Sequence, residues 1–126
     1  MNFKTLFTSS LYIYVFLTLL ASKVISCTVY NANGEMVGSI KDGGIYYKRS
    51  EKIGSYSSLG VFDKNNRKVA SISAFGVFDN GNTKVGSVSS LGLFNAEGKK
   101  MGGGTPECTP LELGAGLILL LADAAK

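Results

Sequence analysis

The chain predicts a mainly β fold: five tandem 16-residue β-hairpins closed into a shallow ring or barrel, with a C-terminal apolar helix in or near its centre. Three observations carry this. A 16-residue unit recurs five times between residues 29 and 104 with no insertion. Each unit holds two short strand-like segments separated by turn-forming residues. A segment that is apolar on every side, residues 113–122, follows the last unit.

Residues 1–26 read as a secretory leader that precedes the fold. Lys4 supplies a positive start, residues 11–21 (LYIYVFLTLLA) an apolar run, and Ser26 a small residue just before Cys27. The run is shorter than the ~20 residues a bilayer-spanning helix needs, so cleavage is expected over retention as an anchor. The whole chain carries 13 basic and 9 acidic residues. Loss of Lys4 and Lys23 with the leader leaves 11 and 9 in residues 27–126, a net charge of +2. That balance lacks the concentrated basic face of a nucleic-acid binder, so no nucleic-acid partner is expected.

The five units are residues 29–44, 45–60, 61–76, 77–92 and a shortened 93–104. Their first position is aliphatic and their second aromatic: Tyr30, Tyr46, Phe62, Phe78 and Phe94. The ninth is aliphatic or Met (Val37, Ile53, Val69, Val85, Met101), and the tenth is Gly or Ala. The sixteenth is Gly in the four complete units. Asn33-Gly34, Arg49-Ser50, Asn65-Asn66, Gly81-Asn82 and Glu97-Gly98 sit where the first reversal falls, and most are types that tolerate positive φ. The closing Gly marks the second reversal. The small tenth position is expected to leave room for the aromatic ring of a paired strand. A single hairpin of this size is unstable in water, so the units must bury their apolar faces together. An open solenoid would need polar capping units, which neither end supplies. A ring removes the exposed edges instead.

Thr109-Pro110-Leu111-Glu112 is a helix start with a capping box, and the helix is expected over about residues 110–125. A helix apolar all round belongs in a buried place, and the centre of the ring is the economical one. Four-residue strands make a ring only ~13 Å deep, whereas 16 helical residues span ~24 Å, so the helix should project from one end. Leu117, Ile118, Leu120 and Leu121 are expected to meet first-, second- and ninth-position side chains.

Cys27 lies just before the first unit and Cys108 just after the last, so ring closure brings them together. Three states are open to the pair. They form a disulfide in an oxidising compartment; or Cys27, preceded by Val24-Ile25-Ser26, is acylated as in a lipoprotein; or both stay free thiols.

The chain has no His, which removes Ser/His and Cys/His constellations and the usual neutral metal ligand. Two Cys without His make no zinc site. Asp63 and Asp79 share one repeat position with Asn31, Tyr47 and Asn95. Equivalent environments suit turn-starting residues rather than an acid–base pair. Gly102-Gly103-Gly104 lacks the lysine-hydroxyl ending of a phosphate loop. No catalytic residue, cofactor or metal is therefore expected. One pattern remains. The eighth position holds Lys52, Lys68, Lys84 and Lys100, with Met36 in the first unit. In a ring these four form a candidate collar for an anionic head group or membrane surface; equally, they keep exposed strand ends soluble.

The phased aliphatic-aromatic-Asp/Asn…Lys-aliphatic-Gly-Ser unit, repeated five times after a leader and before an apolar tail, resembles the five-fold beta-flower family. The resemblance spans about residues 29–125. It implies a shallow barrel of hairpin petals around a hydrophobic centre, similar to tubby-type barrels that enclose a helix, and raises lipid or membrane association. Tyr47, Arg49-Ser50 and the shortened fifth unit depart from the pattern. The expected function is an exported, non-enzymatic β-repeat binding or structural module of the cell envelope: periplasmic, outer-envelope or extracellular, or lipid-anchored through Cys27. The alternative is a lipid- or membrane-associated protein that binds an acyl chain or anionic head group.

Overall fold

The computed structural model describes residues 26–126, and the expected leader up to residue 25 lies outside them. Ten strands follow the phase of the repeat. They are β1 (Cys27–Asn31), β2 (Met36–Lys41), β3 (Gly44–Tyr47), β4 (Glu51–Ser57), β5 (Gly60–Asp63), β6 (Lys68–Ser73), β7 (Gly76–Asp79), β8 (Lys84–Ser89), β9 (Gly92–Asn95) and β10 (Lys100–Gly104). Each pairs antiparallel with its chain neighbour, and β1 pairs with β10, so the sheet closes into a barrel with no free edge. A helix, α1 (Pro110–Ala124), runs inside it.

Within every unit the first strand meets the second across a bulge. The register steps from Ile45↔Gly54 to Tyr46↔Lys52, from Val61↔Ala70 to Phe62↔Lys68, and from Val77↔Gly86 to Phe78↔Lys84. The ninth residue is thus an extra one in each hairpin, left without a partner. Bulges increase local twist and bending, and five of them at one level help such short strands turn full circle. Being extra, the ninth residue does not serve the core uniformly: Val37 is buried, whereas Val69 is 38% exposed. The expectation that the ninth position lines the helix is corrected on this point.

The core is built from first positions (Val29, Ile45, Val61, Val77, Leu93) and twelfth positions (Ile40 and Val88, with Tyr56 and Ile72 packed beside them). Against these lie Ala115, Leu117, Leu119 and Leu120, each no more than 3% exposed. Leu119 belongs in this set in place of Ile118 and Leu121, which are partly buried. Gly114 and Gly116 weaken α1 intrinsically by about 1 kcal/mol each. Their packing explains them: a methyl on Gly116 would lie 2.9 Å from Val29 Cγ2, and one on Gly114 2.6 Å from Ile72 Cδ1. Thr109 caps the helix, taking a hydrogen bond from the Glu112 backbone N–H, while Glu112 accepts one from the Thr109 N–H.

The tenth-position glycines have a different reason from the expected one. A methyl on Gly38, Gly54 or Gly86 would collide with the backbone carbonyl of Tyr46, Phe62 or Phe94 on the next strand, not with an aromatic ring. Gly38 also faces Leu119 of α1, whose Cδ2 a methyl would meet at 2.8 Å. The second-position rings, opposite in parity to the buried first position, point outward. There they pair with eleventh-position serines, as in Ser71↔Phe78 and Ser87↔Phe94. The Tyr46 and Phe78 rings lie over Gly44 and Gly76, the glycines that open their strands.

Truncation of Leu119 to Ala is expected to lower stability by about 2–5 kcal/mol. The same change at the half-exposed Leu121 should have a smaller effect. Urea unfolding of residues 27–126 by circular dichroism reads both. Equal small losses would show that α1 is not the shared core.

Candidate functional site

The barrel has two unlike ends. One carries the first reversals of the units and the C-terminus of α1; the other carries the second reversals, the N-terminus of α1 and both cysteines.

At the first end, Asn31, Asp63, Asp79 and Asn95 build the same loop. Each side-chain oxygen accepts two backbone N–H bonds at 2.9–3.0 Å, from the second and fourth residues after it. Gly34, Asn66, Asn82 and Gly98 then take the left-handed conformation, which Gly and Asn tolerate best. Asp63 is held below the ordinary carboxyl range, chiefly by the Arg67 N–H and also by the Asn65 N–H. Its exposed 3.6 Å contact with the Arg67 guanidinium adds little. The equivalent Asp and Asn residues are thus loop builders, as turn-starting residues.

The second unit breaks the pattern, and α1 explains why. Tyr47 stands where the others have Asx and donates a 2.8 Å hydrogen bond to Asp123 Oδ1 near the helix C-terminus. Lys126 Nζ sits 3.8 Å from the centre of its ring. Tyr56 stands where the first, third and fourth units have Ile or Val and donates a 3.3 Å bond to Glu112 Oε2 in the first helical turn. One unit therefore holds the helix at both ends. Tyr47 as a departure from the repeat was visible in sequence; its partner on α1 was not.

At the second end, Cys27 and Cys108 form a disulfide across 81 residues, with Cα atoms 4.8 Å apart. Closing a loop of that length contributes roughly 4–5 kcal/mol in the chain-entropy model. The bonded Cys27 sulfur has no valence left for the thioether of an acylated cysteine, and neither thiol is free. The disulfide also explains the shortened fifth unit. Gly104 occupies the twelfth position, and a methyl there would lie 2.8 Å from both Cys108 Sγ and Leu113 Cδ2. The sulfur and leucine fill the volume that Ile40 or Val88 fills elsewhere.

The four collar lysines come to one level but do not converge. Lys52, Lys68, Lys84 and Lys100 pair with the outward-facing Tyr46, Phe62, Phe78 and Phe94. They therefore circle the outer wall, with the stems of Lys68 and Lys100 lying over Gly60 and Gly92. The axis itself is occupied by α1. An open cleft of about 750 Å³ lies on the β9–β10 side, bordered by Leu91, Gly103, Thr105 and Leu113.

A feature missed at sequence level is the apolar fifteenth position. Leu59, Phe75 and Leu91 tip three second reversals and are 73%, 58% and 75% exposed. The available signal was an apolar residue at a turn position where the first unit has Gly43. Among the described residues, no three His, Cys, Asp or Glu side chains gather as a metal-ligating group, and no helix is long and apolar enough to cross a membrane. Comparison with protein-family models, with curated proteins and with solved structures gives no match.

Both helix-clamping phenols are held above their ordinary value, Tyr47 chiefly by its bond to Asp123 and Tyr56 chiefly by burial and then by the Glu112 charge. A raised folded-state pKa makes a contribution that is complete below the unfolded value near 10 and is lost as pH rises through the folded value. Stability is therefore expected to fall above about pH 10. The fall should be shallower in a Tyr47→Phe/Tyr56→Phe variant. Urea midpoints across that range measure it, and an unchanged slope would remove the clamps from the account.

Proposed function

We propose that the mature chain is an exported, non-enzymatic module of the cell envelope, acting as a binding or structural element, in keeping with its resemblance to the five-fold beta-flower family. The observation that carries this is the Cys27–Cys108 disulfide, which joins the start and the end of the barrel's chain beside the β1–β10 seam. Such bonds persist in oxidising compartments and are rare where glutathione keeps thiols reduced. A barrel whose axis is filled by its own helix meets partners with its outer wall and its two ends. The leader reading of residues 1–26 points to the same compartment.

A second reading, membrane association, has its own support in the outward Lys52, Lys68, Lys84 and Lys100 and in the exposed tips Leu59, Phe75 and Leu91.

Fractionation of the native host with thiol trapping tests the primary reading. The protein is expected in the envelope or the medium, beginning at or close to Cys27, with both cysteines inaccessible to alkylation until reduced. Full-length protein in the cytosol with two alkylatable thiols would contradict it.

A further inference from the structure

Charge is sorted between the two ends of the barrel. Ten basic and six acidic residues lie at third to eighth positions of the units or in the last four residues of the chain, all toward the first-reversal end. The second-reversal end has Lys41, Asp42, Glu107 and Glu112 alone among the described residues. Glu112 is engaged by Tyr56 and by the helix cap.

On this sparsely charged rim stand Leu59, Phe75 and Leu91, each at the tip of its own turn, with Ser58 and Ser90 directly before the two leucines and Ala74 before Phe75. Their side chains stand in solvent and take no part in the core. The first unit makes the equivalent turn with Asp42-Gly43, whose residues suit its positive φ angles of 50° and 78°. The third unit instead places Ala74 and Phe75 in the left-handed region, at φ 45° and 70°, and leaves the Phe75 ring in solvent. A bulky non-glycine residue held in that conformation with its ring exposed points to a role outside the fold.

The area and the separation of the tips select the occupant. Together the three tips expose on the order of 400 Å², about half of what one partner of a stable protein complex contributes. Separate tips on separate turns also do not form the continuous face such a partner requires. A fluid lipid interface accommodates isolated apolar tips without matching pockets. The cleft bordered by Phe75, Leu91 and Leu113 reaches this rim, and it runs on to Asn31, Ala32 and Lys100 toward the other end.

We infer that the rim bearing Leu59, Phe75 and Leu91 is a membrane-docking face that dips into the interfacial layer of a bilayer, with the charged end directed away. This rests on the membrane-association reading and relocates the contact from the lysine collar to the opposite end of the barrel. Binding through this rim is driven by apolar burial. It therefore does not require anionic lipid and resists salt, in contrast to a polybasic contact.

The test is co-sedimentation of oxidised residues 27–126 with phosphatidylcholine vesicles, with and without phosphatidylglycerol, in low and high salt. Wild type is expected to bind both, and a Leu59→Ser/Phe75→Asn/Leu91→Ser variant of unchanged circular dichroism to bind at least about 100-fold more weakly. The chain has no Trp, so Leu91→Trp gives an independent readout, its emission shifting to the blue on adding vesicles. Salt-sensitive binding to anionic vesicles alone, lost in a variant with Lys68, Lys84 and Lys100 changed to Glu and kept in the tip variant, would uphold membrane association and overturn this face. Absence of vesicle binding under all conditions would overturn both. A dimer in solution that the tip variant dissolves would assign the rim to a second copy.

Discussion

A ring of short hairpins has no core of its own, and everything in this structure follows from filling it with one helix. Each first strand offers one fully buried aliphatic residue to the interior, and each second strand about one more. That lining needs an apolar filler that satisfies its own backbone hydrogen bonds, which an α-helix does. The burial of Leu117, Leu119 and Leu120 against all sides of the barrel is the shared interaction. The glycines at tenth positions and in α1 are its steric counterpart, small because a carbonyl or a leucine already occupies the space.

A single helix cannot obey five-fold symmetry, and the repeat breaks where the helix demands it. The second unit gives up one Asx loop and one aliphatic core residue to supply Tyr47 and Tyr56, which grip Asp123 and Glu112 at opposite ends of α1. The fifth unit gives up its twelfth-position side chain to the disulfide and Leu113. These two departures orient the helix, set its depth and seal the β1–β10 seam at which the chain ends meet. Deviation from the consensus is where this chain carries its specific information. Phe75 departs in its turn as well: its backbone carbonyl accepts a hydrogen bond from the Val88 N–H, as Gly43 does from Tyr56, but its ring stands in solvent.

Much of the architecture was legible because a fixed 16-residue phase leaves few arrangements of aliphatic, aromatic, small and turn residues. Closure and the meeting of Cys27 with Cys108 follow from that phase, and the helix from the Thr109–Glu112 capping box and the apolar run after it. The bulge was not legible. It shifts register by one residue, which turned the ninth position into a spare; the close carbonyl over the tenth position belongs to the following strand. The site was harder still. Four lysines in phase look like a collar in one dimension, but strand parity turns them to the outer wall. The apolar tips sit in turns, where pattern reading looks for polar residues and glycine.

The central claim, that α1 is the core shared by all five hairpins, is tested most directly by native-state hydrogen exchange on oxidised residues 27–126. Amides of Gly114 to Leu121 should be among the slowest to exchange, and they should open together with strands β1 to β10 in a single cooperative step at the global unfolding free energy. Helix amides that exchange by a separate, low-energy opening while the strands stay protected would show a barrel stable without its helix, and would contradict the account.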